Sequence, residues 1–441
     1  MDIALPDGVI TFIQIAHEGF FAIWWLFLFL PLAYGAAEVW LVYAQRCFAK
    51  SNPNRLVELV IPREVRKTPR AMEQIMTAIH ALRNSPANFQ EVWWDGETAS
   101  VFSFEMASFG GEVHFYMWVP VRHLSIVRAT IYSQYPEVEV VDVDDYTHRF
   151  PPHFDELEGL GYRMFGNELL YSNNNKEVKK EAIDVYPIRT YVDFEAVAEE
   201  KELDPISGIL EVMAGIRPQE EMWLQFATRP LIDNEIPDWA KSGGDEINRL
   251  KARSRGTINP ITGEQIYTLP SPGETEAMKV IDRNVGKPGF KVVIRYLYFS
   301  PKDIFNGNVG QRGIFSALNH YATESFNKFR HNVYVWTRVN VWYSPYFFPA
   351  FRLKVRSRRI LRHYRIRKIY PDSLVARMIV PTGPGETITM NTEALATLFH
   401  LPTNLVNTGP LIPRSEAKRV GPPSGLGIFG EEGDEKLPGI Y

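Results

Sequence analysis

A continuous apolar run near the N-terminus is the strongest hydrophobic feature of the chain. Residues 20–37 read FFAIWWLFLFLPLAYGAA without a charge, and the apolar pattern continues past Glu38 as far as Ala44. About 20 apolar residues span the hydrocarbon core of a bilayer, so the run predicts a transmembrane helix over residues 20–44. Its candidate membrane-anchoring side chains are large and aromatic: Phe20, Trp24, Trp25, Phe27, Phe29, Trp40 and Tyr43.

The charges around this run predict its orientation. No Lys or Arg precedes it, whereas seven follow within residues 46–70. By the positive-inside rule, residues 1–19 form an extracytoplasmic segment and the bulk of the chain lies in the cytoplasm. We therefore expect a single-pass protein of the cytoplasmic (inner) membrane with its N-terminus outside. A cleaved signal peptide ending near AYGAAE is the alternative, although the chain does not show the basic n-region typical of such peptides.

After the apolar run, hydrophobic spacing predicts the order strand–helix–strand–strand–helix–strand. LVELVIP is typical of a strand, and the apolar residues of MEQIMTAIHAL recur at helical spacing. Two alternating segments flank Gly110 and Gly111, which indicates a β-hairpin. LSIVRATIY predicts a second helix, and EVEVVDV supplies the last strand. This order is that of a ferredoxin-like fold, expected here over residues 55–147.

The same order is expected a second time, as a second ferredoxin-like domain over residues 182–345. AIDVYPIRTYVDF (residues 182–194), EEMWLQFATRP, FKVVIRYLYF and NVYVWTRVNV are typical of strands. Helices are expected at PISGILEVMAGI and after SPKD, which begins at Ser300 and resembles a capping box. The polar residues 233–289 interrupt the pattern and predict a protruding insertion with at most one helix of its own.

The C-terminal part is predicted to be less regular. Residues 346–402 read as a basic connector followed by a helix over residues 391–400, and residues 403–441 as an extended tail rich in Pro and Gly. The predicted fold class is therefore α+β, with an N-terminal transmembrane helix, two ferredoxin-like (βαββαβ) domains and an extended C-terminal tail.

The connector contains a strongly biased charge pattern, RLKVRSRRILRHYRIRKIY. It carries nine cations and no carboxylate, with tyrosines and an apolar face interleaved. Such a pattern predicts a polyanion site, for a nucleic-acid backbone or for anionic lipid. The alternative is an amphipathic connector whose arginines pair with the acidic residues 195–204 or remain solvated. The candidate residues are Arg352, Lys354, Arg356, Arg358, Arg359, Arg362, Arg365, Arg367 and Lys368.

Composition limits the classes of protein that fit. The 441 residues suggest two or three domains, and 45% hydrophobic with 23% charged residues is typical of a globular protein. A formal net charge of −4 does not mark the whole chain as a polyanion binder. The lone Cys47 excludes a disulfide framework and a thiolate zinc site, and no His pair has metal-ligand spacing.

Catalytic motifs are missing from the sequence. It contains neither a P-loop nor a GxSxG nucleophile elbow. GLGIFG, from Gly425 to Gly430, matches a dinucleotide fingerprint, but that fingerprint requires a preceding strand and a following helix. Here two prolines precede the glycines and the acidic EEGDEK follows. We therefore predict no catalytic residues, no cofactor and no metal site, and we expect that the protein is not an enzyme.

Three stretches resemble one protein family. IPREVRKTPRAMEQIMTAIHAL, FEMASFGGEVHFYMWVP with the following IYSQYPEVEVVDVDDY, and MNTEALATLFHLPTNLVNTGPLIPRSEAKRVGPPSGL carry the likeness. They are similar to the membrane-proximal, non-ATPase region of type IV secretion and conjugative DNA-transfer coupling ATPases, as found in candidate-phylum bacteria. The resemblance covers residues 56–146 and 388–426, with a looser middle. In those relatives a membrane segment precedes this region, and the TLFHLP stretch leads into a motor domain with a P-loop.

The resemblance implies a membrane-anchored adaptor or scaffold of a type IV secretion-like or DNA-transfer machine. Where relatives begin their ATPase, this chain reads GIFGEEGDEKLPGIY, so the expected partner is a separate P-loop ATPase or other secretion-machine subunits. Two alternatives stay open. One is a membrane-tethered nucleic-acid-binding module that uses residues 352–368, and the other is a structural subunit of an envelope complex that forms homo-oligomers.

Overall fold

A computed structural model describes residues 7–62, 67–175, 178–195, 204–254, 270–323, 326–338, 348–370, 385–403 and 414–415. Its first element is a long helix, α1 (Asp7–Ser51), of 45 residues. At 1.5 Å per residue such a helix is about 67 Å long, roughly twice the thickness of a hydrocarbon core. Within it, Trp24–Ser51 is long and apolar enough to cross a membrane, the one such segment among the described residues. The predicted N-terminal apolar helix is confirmed.

The strands form one continuous sheet. They are β1 (Asn54–Pro62), β2 (Phe102–Phe109), β3 (Glu112–Pro120), β4 (Glu139–Asp142), β5 (Tyr162–Asn173), β6 (Glu221–Pro230), β7 (Gly289–Pro301), β8 (Asn327–His331), β9 (Ile388–Asn391) and β10 (Arg414–Ser415). The main path has the order β4-β1-β3-β2-β6-β7-β5-β8, with antiparallel neighbours throughout. β9 joins β7 antiparallel, and the short β10 joins β1 parallel.

Helices cover both faces of this sheet. They are α2 (Pro69–Ala81), α3 (Phe89–Trp93), α4 (Leu124–Gln134), α5 (Phe154–Gly159), α6 (Tyr191–Glu195), α7 (Ser207–Ala214), α8 (Ile236–Ser254), α9 (Pro272–Val285), α10 (Gly307–Leu318), α11 (Pro349–Arg365) and α12 (Thr392–Leu398). One apolar core lies between the sheet and helices α2, α4, α7, α10 and α12. A second core lies on the opposite face, beneath α5 and α11. The sheet is therefore the middle layer of the fold.

The two halves of the sheet meet at β2 and β6. These strands pair in register from Phe102 opposite Thr228 to Phe109 opposite Glu221. The α+β class is thus confirmed, but the expected separation into two domains is not what the strands show. A strand expected over residues 182–194 is also wrong, because those residues form a 3₁₀ turn followed by α6. The strand that occupies its place in the sheet is β5, whose buried Glu168 interrupts the apolar pattern.

Several local predictions are confirmed by the structure. Met72, Ile75, Met76 and Ile79 of α2 are buried on one face of that helix. Leu124, Val127 and Ile131 of α4 are buried as well. The hairpin between β2 and β3 turns at Gly110 and Gly111, which have φ angles of 64° and 98°. Positive φ favours glycine, so this turn depends on the residue type that predicted it.

The predicted insertion over residues 233–289 contains more secondary structure than expected. It contains two helices, α8 and α9, instead of at most one. Together they close a small core in which Trp239 and Leu250 of α8 and Ile281 of α9 pack with Val185 and Tyr186. A capping box does exist here, between Ser271 and Glu274 at the start of α9.

Two further boundaries differ from the sequence prediction. β7 continues through Ser300 to Pro301, and α10 begins at Gly307 after the N-cap Asn306, so the capping box expected at Ser300 is wrong. The last main strand is β8 at residues 327–331, earlier than the expected NVYVWTRVNV segment.

The helix predicted over residues 391–400 is confirmed as α12. Asn391 is its N-cap, and the Asn391 side chain accepts a hydrogen bond from the Ala394 N–H. The predicted tail lies outside the described residues apart from Thr403 and the two residues of β10. The GLGIFG motif is among the residues outside the description.

Candidate functional site

The C-terminal half of α1 is docked on the folded part of the chain. The Trp40 indole Nε1–H donates to the Trp93 carbonyl oxygen at 2.7 Å, and the Trp40 and Trp94 rings lie 5.8 Å apart. Gly96, with φ of 66°, lies so close to α1 that an added Cβ would sit 2.3 Å from the Ala44 carbonyl carbon. This junction fixes the direction in which α1 leaves the fold.

The predicted anchoring residues lie along α1. Trp24, Trp25, Phe29, Trp40 and Tyr43 are all exposed large hydrophobics. The side chains of Phe20 and Phe27 lie outside the description. Exposed aromatic and aliphatic groups along this many turns of one helix are typical of a surface that contacts lipid.

Sequence reasoning missed an aromatic extension of this surface in and beside α3. Phe89 is 74% exposed and Trp94 is 70% exposed. The Phe89 and Trp93 rings stack at 5.9 Å, next to the contact that Trp93 makes with Trp40. The only sequence signal was the aromatic content of NFQEVWW, which has no helical or strand periodicity. We call Trp40, Tyr43, Phe89, Trp93 and Trp94 the aromatic junction.

Most cations of the predicted basic segment contact other groups of the protein. The segment forms α11 and the turn that follows it. Arg358 contacts the Asp155 carboxylate, and Lys354 lies 3.8 Å from Asp155 and 3.7 Å from Glu158. Arg356 donates to three backbone carbonyls of residues 333–338, and Arg352 is engaged as well. In the described part of the chain, these cations hold α11 against its neighbours, while most of the acidic residues 195–204 lie outside the description.

The turn after α11 places two arginines on backbone and carboxylate oxygens. Arg365 donates to the carbonyls of Thr147, Phe150 and Pro151. Arg367 is 2% exposed, and it donates to both Glu105 and Asp145. Burial by itself would lower the pKa of Arg367, but these two carboxylates outweigh burial and raise it well above its usual value. Arg367 therefore stays charged inside the protein.

A row of polar side chains crosses the sheet beneath this turn. Glu105 on β2, Gln225 on β6, Arg295 on β7 and Glu168 on β5 are directly opposite one another in register. Gln225 Nε2 donates to Glu105 Oε1 at 3.0 Å, and Arg295 Nε donates to Glu168 Oε1 at 2.6 Å. All four side chains are fully buried. We call these four residues the polar row.

The polar row forms hydrogen bonds that hold the end of α11 and the following residues on the sheet. Gln225 Nε2 donates to the Tyr364 carbonyl at 2.9 Å, and Arg295 donates to the Lys368 carbonyl. The Tyr370 hydroxyl donates to Glu168 at 2.5 Å. Groups this deeply buried and mutually bonded hold two layers in register. Single polar residues inside apolar strands, such as Glu105 in FSFEMASF, are the sequence signal for the row.

Arg359, Arg362 and Lys368 make no side-chain hydrogen bond in the described part of the chain. Burial, and then the positive charges of Arg46 on α1, of Arg295 and of Arg362, lower the pKa of Lys368. Arg46 and Arg362 are exposed. These cations therefore form a positive cluster near the C-terminal end of α1, which we call the basic junction: Arg46, Arg362 and Lys368.

The structure offers no metal site within the residues it describes, where no cluster of three or more His, Cys, Asp or Glu side chains could hold a metal ion. The lone cysteine, Cys47, is exposed on α1.

Comparison with known proteins identifies one family. Residues 32–305 match the family described as Domain of unknown function (DUF8128). This match runs from the middle of α1 to the turn after β7, so it includes the aromatic junction and the polar row. No curated protein matches the chain. Since the match covers well over half of the sequence, the chain belongs to the DUF8128 family, a domain of unknown function.

Proposed function

We propose that this protein is a membrane-anchored cytoplasmic adaptor of a type IV secretion-like or DNA-transfer machine. In this proposal α1 crosses the cytoplasmic membrane, and the sheet domain positions a P-loop ATPase or another machine subunit beside it. The observation that carries the proposal is the docking of α1 on α3 through Trp40 and Trp93, at 2.7 Å. A helix fixed in this way holds the domain at a set place on the bilayer.

The aromatic junction supports a specific depth for α1. Trp and Tyr side chains prefer the interface between hydrocarbon and water. With Trp40 and Tyr43 at that level, the roughly 20 residues before them span about 30 Å, the thickness of the hydrocarbon core. The exposed Phe89 and Trp94 then lie at the same surface, where they add a second contact with lipid.

The basic junction supports the predicted orientation. Arg46 on α1 and Arg362 on α11 are exposed next to the junction with the membrane helix. Anionic lipids of the cytoplasmic leaflet attract such cations by about 1 kcal/mol for each Lys or Arg near the surface. We infer that the domain lies on the cytoplasmic side, with residues 1–19 outside.

We also infer that the sheet consists of two ferredoxin-like units. The first half has the order β4-β1-β3-β2, and the second half has the order β8-β5-β7-β6. Numbered within each half, both orders are 4-1-3-2. The first half has the βαββαβ order of elements, and the second half has it with α8 and α9 inserted between β6 and β7. Pairing of β2 with β6 joins the two units edge to edge.

In the resembling family, the segment that corresponds to α12 leads to the motor domain. In this protein α12 is held on the sheet domain by ion pairs. Glu393 of α12 is 2% exposed, and it accepts hydrogen bonds from Lys287 at 2.6 Å and from Arg283 at 2.7 Å. Lys287 also donates to Glu73 of α2 at 2.5 Å. Through these contacts α12 takes a fixed position relative to α2. A partner bound beyond α12 would then be held at a fixed place relative to the anchored domain.

The test is recovery of a partner from native membranes. The full chain, tagged and solubilised in mild detergent, should co-purify with a P-loop ATPase identified by mass spectrometry. The Lys287→Met variant should recover less of that ATPase, because α12 loses the contact between Glu393 and Lys287. Lys241→Met, at an exposed position of α8, serves as the matched control. Recovery of other copies of the chain alone would contradict the adaptor proposal and favour a structural subunit of an envelope complex.

The nucleic-acid alternative has less support. Of the nine cations predicted for it, Lys354, Arg356, Arg358, Arg365 and Arg367 bind carboxylate or carbonyl oxygens of the protein itself. Binding of nucleic acid by the remaining cations would weaken steeply with salt. Salt-sensitive binding that is abolished by charge reversal at Arg359 and Arg362 would restore this alternative.

A further inference from the structure

A cleft of about 830 Å³ opens where α10 begins. The first turn of α10 lines it with Asn308, and the N-terminal half of α11 lines it with Leu353 and Ser357. The cleft also includes the start of β5 and the turn after β7. It is separate from the polar row, and none of the sequence predictions pointed to it.

Four arginines from four segments line this cleft: Arg163, Arg217, Arg312 and Arg338. In the part of the chain that the structure describes, none of the four forms an ion pair within 4 Å. Two carboxylates, Glu158 and Asp303, also line the cleft. Glu158 lies 3.7 Å from the Lys354 ammonium, which partly neutralises it. As far as the structure describes it, the lining therefore carries more positive than negative charge.

Two of these guanidinium groups are already held in position. Arg338 Nη1 donates to Gln311 Oε1 at 2.8 Å, and Gln311 itself lines the cleft. Arg163 lies over the Phe305 ring, with 5.5 Å between the guanidinium carbon and the ring centroid. Side chains that are positioned before binding lose less conformational freedom when a ligand arrives.

We propose that this cleft binds a soluble small molecule that carries two or more phosphate groups. Guanidinium groups match phosphate oxygens with paired hydrogen bonds, and four of them exceed what one phosphate needs. The positive end of the α10 dipole adds to the same field. The volume lies within the range of about 300–1,000 Å³ that is typical of small-molecule sites.

The place of the cleft in the sheet separates it from the lipid surface. α1 joins the sheet where Asn54 of β1 pairs with Pro120 of β3. The cleft lies at the other ends of the strands, where Tyr162 of β5 pairs with Pro301 of β7. Phosphate groups of lipid and of soluble ligands share the same chemistry, but this distance from α1 favours the soluble source.

The experiment is calorimetric titration of the full chain in nanodiscs of phosphatidylcholine with inorganic tripolyphosphate and with ATP. Both ligands should bind at the same site, with affinity that falls as salt rises. The double variant Arg312→Ala with Arg338→Ala should weaken tripolyphosphate binding about ten-fold or more, because charge-assisted hydrogen bonds are lost. Lys241→Ala with Lys251→Ala, at exposed positions of α8, removes the same charge elsewhere and should leave the affinity unchanged.

The unfolding temperature of each variant is measured alongside, and Arg217→Ala, in an exposed turn, provides a second variant if the double variant unfolds. Four results would overturn the proposal. Tripolyphosphate could fail to bind, or could bind the cleft variants as tightly as the unaltered chain. Vesicles containing phosphatidylserine could displace it, which would make lipid the ligand. A single-stranded oligonucleotide could bind through these arginines while tripolyphosphate does not compete, which would make nucleic acid the ligand.

Discussion

The Arg367 guanidinium donates two hydrogen bonds to the Glu105 carboxylate, from Nε to Oε1 at 2.9 Å and from Nη2 to Oε2 at 3.1 Å. The two residues are 262 positions apart in sequence. Arg367 has a φ of 48°, in the left-handed region that non-glycine residues seldom adopt. The contact therefore holds an unfavourable backbone conformation and fixes the turn after α11 on the sheet.

Glu105→Leu should strongly destabilise the protein. It leaves the Arg367 charge buried with only Asp145 to compensate it, and breaking a buried pair costs about 3–5 kcal/mol in free energy of unfolding. Asp155→Asn, which breaks the exposed pair with Arg358, should cost at most about 1 kcal/mol. Thermal unfolding of the full chain in detergent, followed by tryptophan fluorescence, measures both effects.

The double variant Glu105→Leu with Arg367→Met measures the coupling free energy between Glu105 and Arg367. Because both charges are removed, it should be more stable than the sum of the two single effects predicts. Strict additivity of the single effects would contradict a direct coupling between Glu105 and Arg367.

Gly96→Ala should weaken the docking of α1. A Cβ at this position would lie 2.3 Å from the Ala44 carbonyl carbon. The atoms it would meet belong to the backbone of α1, so a side-chain rotation cannot relieve the clash. Gly161→Ala is the matched control, because Gly161 also has positive φ, 83°, but open space around its Cβ position. Limited proteolysis should cut near residues 51–54 faster in Gly96→Ala than in Gly161→Ala. Equal cutting rates would mean that backbone strain alone, and not the contact with α1, explains the effect.

Periodicity identified α1, α2, α4, α12 and the hairpin at Gly110 and Gly111, because each is formed by residues close in sequence. It failed where long-range pairing decides the structure. β5 was missed because Glu168 is polar and yet buried, and its partners Arg295 and Tyr370, which make that burial favourable, are far away in sequence. The basic segment was predicted as a connector and not as the helix α11, and the carboxylates that bind it come from β2, α5 and the turn after β4. Sequence spacing carries no information on such partners.

The pH dependence of stability should reveal the buried His363. Burial, and then the positive charges of Arg295 and Arg359, lower the pKa of His363 to about 3. An unfolded histidine has a pKa of about 6.5, so below that pH the unfolded chain binds a proton that the folded chain does not. Above about pH 6.5 His363 therefore does not lower the free energy of unfolding. Below that pH the free energy of unfolding falls by about 1.4 kcal/mol for each pH unit.

His363→Gln should therefore reduce the loss of stability between pH 6.5 and 5. Part of the loss should remain, because burial and the charge of Arg83 lower the pKa of His80 to about 4 in the same direction. Unfolding temperatures of the two proteins across this range measure the difference. An unchanged pH slope in His363→Gln would mean that His363 is protonated in the folded protein.

Membrane insertion with the domain in the cytoplasm is tested most directly through Cys47, the lone cysteine of the chain, which is exposed on α1 just beyond the aromatic junction. A membrane-impermeant maleimide is applied to intact spheroplasts and to permeabilised ones. We predict that Cys47 is labelled only after permeabilisation, and that a cysteine at position 8, made by Gly8→Cys with Cys47→Ser, is labelled in intact spheroplasts. Labelling of Cys47 in intact spheroplasts, or labelling of both positions from the same side, would contradict a spanning α1 with a cytoplasmic domain.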